Sequence, residues 1–371
     1  MSSNTSTSPS SSNTSKPNSN STPKKVWTTL ITNTSYLPGL LTLEFSLRRV
    51  NSAYPLVALY TDSLPASGHA ALDARGIAKK HVPYLLPSIH KEYTNDVRFY
   101  DCWSKLTPFS LVEYDRVVQL DCDMLVLRNM DELMEVELDG FELKGEGRRV
   151  FAACHACVCN PLRKEHYPVD WCVRLLASLI ESQVKSSQVK SNILTENARI
   201  PSNCAYTTQH TLTQPIFASN FAPPASSGLG IPNGGLQVVN PCLEIYNKIT
   251  AQLGSAATSS YDFADQSLLG DLFRDRWVAL PYVYNALKTL RWEGVHDVIW
   301  EDGEVKNVHY ILSPKPWEEM GSRNEREGQG QNGDGALERK GKGRDPLHAW
   351  WWEVNRERLN EEKAKGIDDG F

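Results

Sequence analysis

Arg116–Leu127 reads Arg-Val-Val-Gln-Leu-Asp-Cys-Asp-Met-Leu-Val-Leu. A run of strand-forming apolar residues carries straight into Asp121 and Asp123, then turns apolar again. Residues two apart in an extended backbone share a face, so both carboxylates leave the end of a buried strand on one side. Two unpaired buried negative charges would cost several kcal/mol, so something positive must stand opposite. A divalent metal carrying a diphosphate fits that charge and spacing.

Three readings of this Asp-Cys-Asp compete. It is a strand-end turn whose aspartates cap loops and face water. Or it is the nucleophile motif of a Mg²⁺-dependent phosphatase, with Asp121 attacking phosphorus. Such motifs usually follow the first strand of the domain and lead into Thr or Val. This one lies well inside the chain, with Leu125 two places after Asp123. Or it is the metal-binding pair of an enzyme that uses nucleotide sugars. The rest of the chain has to decide.

The chain has 371 residues, room for one large α/β domain or two small ones, and its 40% hydrophobic content is enough for a core. A net charge of −5 gives no general basic field, which argues against nucleic acid as a partner. No apolar run approaches the ~20 residues needed to span a bilayer. The N-terminus lacks the charged-then-apolar order of a signal peptide. The eight cysteines therefore read as reduced thiols, and the chain as a cytoplasmic protein.

Outward from the central stretch, Val26–Thr32 reads as a strand, Asn33–Tyr36 as a turn and Leu37–Val50 as a helix. Leu56–Thr61 is a second strand, Ala66–Arg75 a helix and Lys80–Leu85 a third strand. This alternation predicts a mostly parallel sheet with covering helices. Ligands of such sheets bind at the carboxyl ends of the strands, where Asn33–Tyr36 and the aspartates both fall. Ser104–Tyr114 is expected to be a helix with Pro108 in its first turn, and Phe151–Cys159 a further strand. Ile231–Asn240 reads as turn then strand, Pro241–Leu253 and Asp262–Phe273 as helices, Trp277–Leu280 and Val305–Ile311 as late strands. The expected layout is a disordered tail over 1–24 and a catalytic domain over 25–320, with a long surface insertion at 178–230. A flexible linker at 321–346 then leads to a terminal helix over 347–371. Cys154, Cys157 and Cys159, with Cys172 or Cys204, suggest a zinc knot, but a second well-spaced pair is lacking. Buried thiols in a strand are the preferred reading.

Six short motifs in order carry a family resemblance. They are Thr29–Tyr36, Trp103–Leu106, Leu120–Asp123 with Asn129–Leu133, Asn233–Gly235, Ala264–Gln266 and His309–Trp317. Over about Val26–Trp317 the chain resembles the retaining, metal-dependent glycosyltransferase family that includes glycogenin and galactinol synthase. The resemblance implies a GT-A fold, a Rossmann-like α/β sheet in a single domain with the long insertion. It implies a UDP-sugar donor and Mn²⁺, or Mg²⁺, as cofactor. Asp121, Asp123 and His309 then look like metal ligands. Leu30, Thr32, Asn33 and Tyr36 look like a uridine pocket. Lys105, Lys315 and the Asp121–Cys122 segment look like donor contacts, with Arg98 near the family's donor-binding arginine. Asn233 and Gly234 look like sugar contacts, and Asp265 and Gln266 line the reacting face.

Two departures stand out. A glycine lies three residues after the ligand His in glycogenin-like members, and Leu312 stands here. The stretch after Tyr284-Asn285 carries no tyrosine where glycogenin glucosylates itself, so a separate acceptor is expected: a small polyol such as inositol, or a glycan. Asp265 is the carboxylate candidate for a nucleophile, or else an N-cap of the Asp262–Phe273 helix. Alternatives on the same residues are a non-catalytic nucleotide-sugar binder, motivated by Leu312, and the phosphatase. Oligomeric state stays open, with a homodimer as one option.

Overall fold

The structure, a computed structural model, describes residues 24–89, 92–93, 97–171, 202–211, 214–319 and 345–371. The tail before residue 24, most of the linker and the first part of the insertion fall outside the described residues.

The first half of the chain alternates strand and helix. β1 (Lys25–Ile31) leads through a tight turn to α1 (Leu37–Arg49), β2 (Leu56–Tyr60), α2 (Ala66–Ala74) and β3 (Ala78–His81). The short α3 (Arg98–Cys102) and a 3₁₀ segment, Trp103–Ser110, precede β4 (Arg116–Leu120). β1, β2, β3 and β4 pair in parallel. Every residue of β4 is buried, the mark of a strand covered on both faces. That is why Val117, Val118 and Leu120 do not alternate with exposed polar residues, and why even Arg116 and Gln119 are buried.

The second half completes the sheet from the other side. β7 (Leu236–Val239) lies antiparallel against β4 and against β6 (Phe151–Ala153), and β8 (Val278–Ala279) pairs in parallel with β6. The seven-stranded order is β3-β2-β1-β4-β7-β6-β8. A separate three-stranded sheet joins β5 (Met124–Val126), β9 (Ala286–Leu287) and β10 (Asn307–His309). β5 begins one residue after Asp123, and His309 stands opposite Met124. The small sheet therefore fastens the late imidazole beside the early aspartates.

Three expected elements are shorter than the sequence suggested. The third strand ends at His81 rather than Leu85: Val82 N–H still reaches the carbonyl of Tyr60, but Pro83 has no donor to carry the ladder on. Around Pro108 the chain forms 3₁₀ turns in place of an α-helix, ending at Ser110. The strand from Phe151 stops at Ala153, after which pairing falls to a single bridge between His155 and Pro232. Pro232 offers no N–H there, and Cys157 and Cys159 lie in the loop beyond, not in a strand.

The segment expected to be a surface insertion is packed into the fold, and the terminal helix docks through its tryptophans. Cys204, Tyr206 and Ala218, within the presumed surface insertion, are buried in a core cluster with Tyr282 and Ile299. α4 (Ile216–Asn220) belongs to the same segment, and α5 (Leu243–Leu253) and α6 (Ala264–Leu272) follow. The terminal helix α7 (Pro346–Ala364) starts with Asp345 accepting from Leu347 N–H and lies against α1, where Thr42 Oγ1 donates to Asn355 Oδ1 at 2.9 Å. Trp351 is fully buried against Trp317, with ring centroids 5.4 Å apart. Apolar burial at about 25 cal/mol per Å² gives an indole enough driving force to hold a helix. No helix among the described residues is long and apolar enough to cross a membrane.

Candidate functional site

In the parallel half, the carboxyl ends of β1 and β4 deliver parts of one open cleft. Its cavity volume is ≈ 260 Å³, more than an order of magnitude above the ~15 Å³ one water requires. The cleft is therefore built for a ligand of many atoms.

After β1 the backbone turns at Asn33, whose Oδ1 accepts from Ser35 N–H at 3.0 Å. Leu30, Thr32, Asn33 and Tyr36 line this end of the cleft. Thr32 Oγ1 donates to Asp101 Oδ2 at 2.7 Å, and Tyr84 OH to Asp101 Oδ1 at 2.8 Å, so the first loop is tied to α3. Arg98 opens α3, and its side chain lies outside the described residues. The Asp-Cys-Asp turn sits directly against the start of α1. A Cβ on Gly39 would lie 2.5 Å from the carbonyl oxygen of Cys122, so only glycine permits that approach. Burial pushes the Cys122 thiol up to about 12, and as an S–H it donates to the carbonyl of Leu30 at 3.0 Å.

The aspartates face cations supplied by the chain itself. Lys105 Nζ lies 2.7 Å from Asp121 Oδ2, and Lys315 Nζ contacts Asp123 Oδ2. Burial alone would raise the Asp123 pKa, but Lys315 and His309 overcome it and hold the carboxyl well below the usual range. Burial likewise works against the charge on Lys105, yet Asp121 lifts its pKa well above that of an ordinary lysine.

His309 completes the group. Its Nε2 lies 3.2 Å from Asp123 Oδ1 and 3.7 Å from Asp121 Oδ2. A chain of amides settles which ring nitrogen carries the proton. Gly235 N–H donates to Asn233 Oδ1 at 3.0 Å, so that atom is an acceptor. Asn285 Nδ2 donates to the same oxygen at 2.8 Å, which turns Asn285 Oδ1 toward His309 Nδ1, also at 2.8 Å. Nδ1 therefore carries hydrogen, which leaves Nε2 as the ring atom that can donate to the carboxylates or, once it holds no proton, ligate a cation beside them. Two carboxylates and a ring nitrogen at these distances could surround one cation. A Cβ on Gly235 would lie 2.4 Å from His309 Cε1, so the imidazole needs glycine there as well. The donor set of two carboxylates and one imidazole, all within 4.8 Å of one another, fits a hard divalent ion.

Across the cleft, Asp265 and Gln266 open α6. Asp265 does not cap that helix: it stands inside the first turn and is buried, with Gln237 Nε2 donating to Oδ2 at 3.3 Å. Burial, reinforced by Asp121 and opposed by Lys105, pushes its carboxyl up to about 7. Gln266 Oε1 accepts from Gly234 N–H at 3.3 Å. Ala264 and Leu312, which flank the site on its two sides, both hold left-handed backbone, φ 40° and 66°. Leu312 thus takes the conformation a glycine would supply, at a cost of roughly 1–2 kcal/mol.

No family model matches the chain. It is 24% identical over 302 residues to galactinol synthase 1 of Ajuga reptans, aligning 80% of this chain with 75% of that one. It is 26% identical over 298 residues to galactinol synthase 2 of Solanum lycopersicum, 79% against 72%. The chain is therefore similar to the galactinol synthases over about four fifths of its length. Among solved structures, the glycosyltransferase GlyE of Streptococcus pneumoniae TIGR4 is 16% identical, with a TM-score of 0.47. That alignment covers 93% of this chain and 65% of the other.

Leu30, Thr32, Asn33, Tyr36, Lys105, Asp121, Cys122, Asp123, Asn233, Gly234, Asp265, Gln266, His309 and Lys315 all line the one cleft. Sequence reasoning missed Asn285, which orients His309, and Asp101, which holds Thr32. The Tyr284-Asn285 pair was visible as a motif, but its amide carries no signature of a supporting role.

Proposed function

We propose that this protein is a metal-dependent, retaining glycosyltransferase that moves a hexose from UDP to a hydroxyl group of a small polyol such as inositol, or of a glycan. The observation that carries this reading is the convergence of His309 Nε2 on Asp123, at 3.2 Å, and on Asp121, at 3.7 Å, in a cleft large enough for a nucleotide sugar. Similarity to galactinol synthases supports the sugar-transfer class.

Asp121, Asp123 and His309 would hold the ion, Mn²⁺ or Mg²⁺, which when bound neutralises charge on a departing diphosphate. Lys105 and Lys315 stand where they can add positive charge to phosphate oxygens, at the expense of their present contacts with the aspartates. The Leu30–Tyr36 edge supplies a half-buried shelf for the uracil, with Tyr36 as its aromatic member. Asn233, Gly234 and Gln266 offer polar groups to the sugar.

Retention is consistent with attack on the face from which UDP leaves. The bond from the anomeric carbon to the diphosphate oxygen breaks, and its electron pair stays with UDP. The acceptor oxygen bonds to that carbon, and its proton passes to the departing phosphate. No separate base is needed. Asp265 holds a proton up to about pH 7, which makes it a hydrogen-bond donor to the sugar below that pH rather than a ready nucleophile.

The test is a screen of UDP-glucose, UDP-galactose and UDP-N-acetylglucosamine for Mn²⁺-dependent release of UDP. Release from at least one, abolished in Asp123→Asn, is expected. If none is turned over and millimolar UDP with Mn²⁺ leaves the melting temperature unmoved, the reading fails.

A further inference from the structure

A second set of ligating side chains lies behind one wall of the cleft. Cys157 and Cys159 sit in the loop after β6, Cys204 precedes the 3₁₀ turn Ala205–Gln209, and His296 precedes the turn Asp297–Ile299. Their four ligand atoms all lie within 4.8 Å of one another. His296 Nε2 is 3.0 Å from Cys159 Sγ and 3.3 Å from Cys204 Sγ. Metal bonds of about 2.3 Å to sulfur and about 2.0–2.1 Å to nitrogen make the S···N edge of a zinc tetrahedron roughly 3.5 Å. These two S···N contacts need open only by a few tenths of an ångström to meet that figure.

The imidazole is already aimed. His296 is fully buried, and its Nδ1 is taken by His210 Nε2 at 2.8 Å, leaving Nε2 to the thiols. A partner on the outer nitrogen is how ligand imidazoles are commonly fixed. The seven cysteines among the described residues are free, so no disulfide among them competes for the sulfurs.

We propose that Cys157, Cys159, Cys204 and His296 bind one zinc ion in a closed, structural site, independent of the proposed sugar-transfer chemistry. The donor set decides the metal: three thiolates and an imidazole are soft and borderline ligands that select zinc, whereas the carboxylates of the cleft suit Mn²⁺ or Mg²⁺. Binding converts three thiols to thiolates and releases their protons to solvent. The ion would tie together three segments far apart in sequence. One of them continues directly into Asn160, Tyr167 and Trp171, which form a wall of the cleft. The site therefore sets the shape of that wall, to which Cys157 itself belongs. It also corrects the reading of Cys157 and Cys159 as strand thiols, while Cys154 keeps it as a buried group donating to the carbonyl of Pro281.

The full-length chain, purified with reductant and without chelator, is expected to carry about one zinc per chain by elemental analysis. Mercurial modification of the thiols should release that zinc to a colorimetric chelator. Asp123→Asn should retain it, and Cys204→Ser with His296→Ala should lose it. Cobalt(II) replacing the zinc should give thiolate charge-transfer and tetrahedral d–d bands. Should the variants fail to fold, titrating zinc into chelator-treated, reduced wild-type chain still decides the matter. Stoichiometric, saturable uptake supports the site. Absence of uptake, a disulfide among these cysteines, or zinc that leaves with Asp123→Asn instead overturns it. Loss of UDP release with zinc intact would count against the glycosyltransferase reading alone.

Discussion

The aspartate cluster and the cysteine cluster differ in what already faces them. Asp121 and Asp123 are matched by Lys105 and Lys315, so their charge is balanced by the chain itself. Cys157, Cys159 and Cys204 face an imidazole backed by a second imidazole. Thiols are neutral until something draws off their protons, whereas carboxylates are charged throughout the physiological range. A cleft with built-in cations stays folded when an ion and its charged ligand leave, which suits repeated binding and release. A cluster that becomes anionic only around its metal links the ion to the fold. One arrangement serves turnover, the other shape.

That contrast can be broken in several ways. The largest effect is expected from Asp123→Asn, which should lower sugar transfer by about 10³-fold. Because it leaves the buried Lys315 ammonium without its carboxylate, it should also destabilise the metal-free protein by about 3–5 kcal/mol in denaturant melts, and an unchanged stability would contradict the buried pair. Next is the pH dependence of Asp265. Its folded pKa of about 7 lies above the unfolded value, so its contribution is fully present below pH 4 and is lost as pH rises toward 7. Asp265→Asn should therefore gain stability relative to wild type across that window, by up to about 1.4 kcal/mol per pH unit. Denaturant melts with chelator present would measure it, and a flat difference would contradict the buried, protonated carboxyl.

Asn285→Ala should weaken the metal dependence by about 10–100-fold, read as a higher Mn²⁺ concentration for half-maximal activity with little change at saturation. No change there would undo the tautomer argument for His309. The smallest effect belongs to Leu312→Gly. Removing left-handed strain should stabilise the chain by up to about 1 kcal/mol, reduced by the extra freedom glycine gives the unfolded state. Thermal unfolding would show it as a small rise, and a fall would mean that the leucine side chain packs for more than its backbone costs.

The parallel half of the sheet was legible because its signals are local. The apolar spacing of α1, the turn at Asn33 and the Val-Val-Gln-Leu of β4 are each read from a short stretch of neighbouring residues. The second sheet was not legible in the same way. β9 and β10 are two and three residues long, and their pairing is decided by partners far off in the chain. The aspartates, His309 and both lysines were visible through short motifs, and the fold brings them to one place. The cysteine–histidine set was set aside because spacing rules detect neighbours, while Cys204 and His296 are 92 positions apart. Asp265 was ambiguous since a helix start favours acidic residues whether or not they cap. Only its burial separates the two roles.

The pairing of β10 with β5 carries a consequence for synthesis of the protein. Asp121 and Asp123 emerge from the ribosome early, together with Lys105 and the strands that support them. His309 and Lys315 emerge near the end. The nascent polypeptide thus passes through a long interval with an acidic turn half-matched, and its grip on an ion is completed only after most of the chain has been translated.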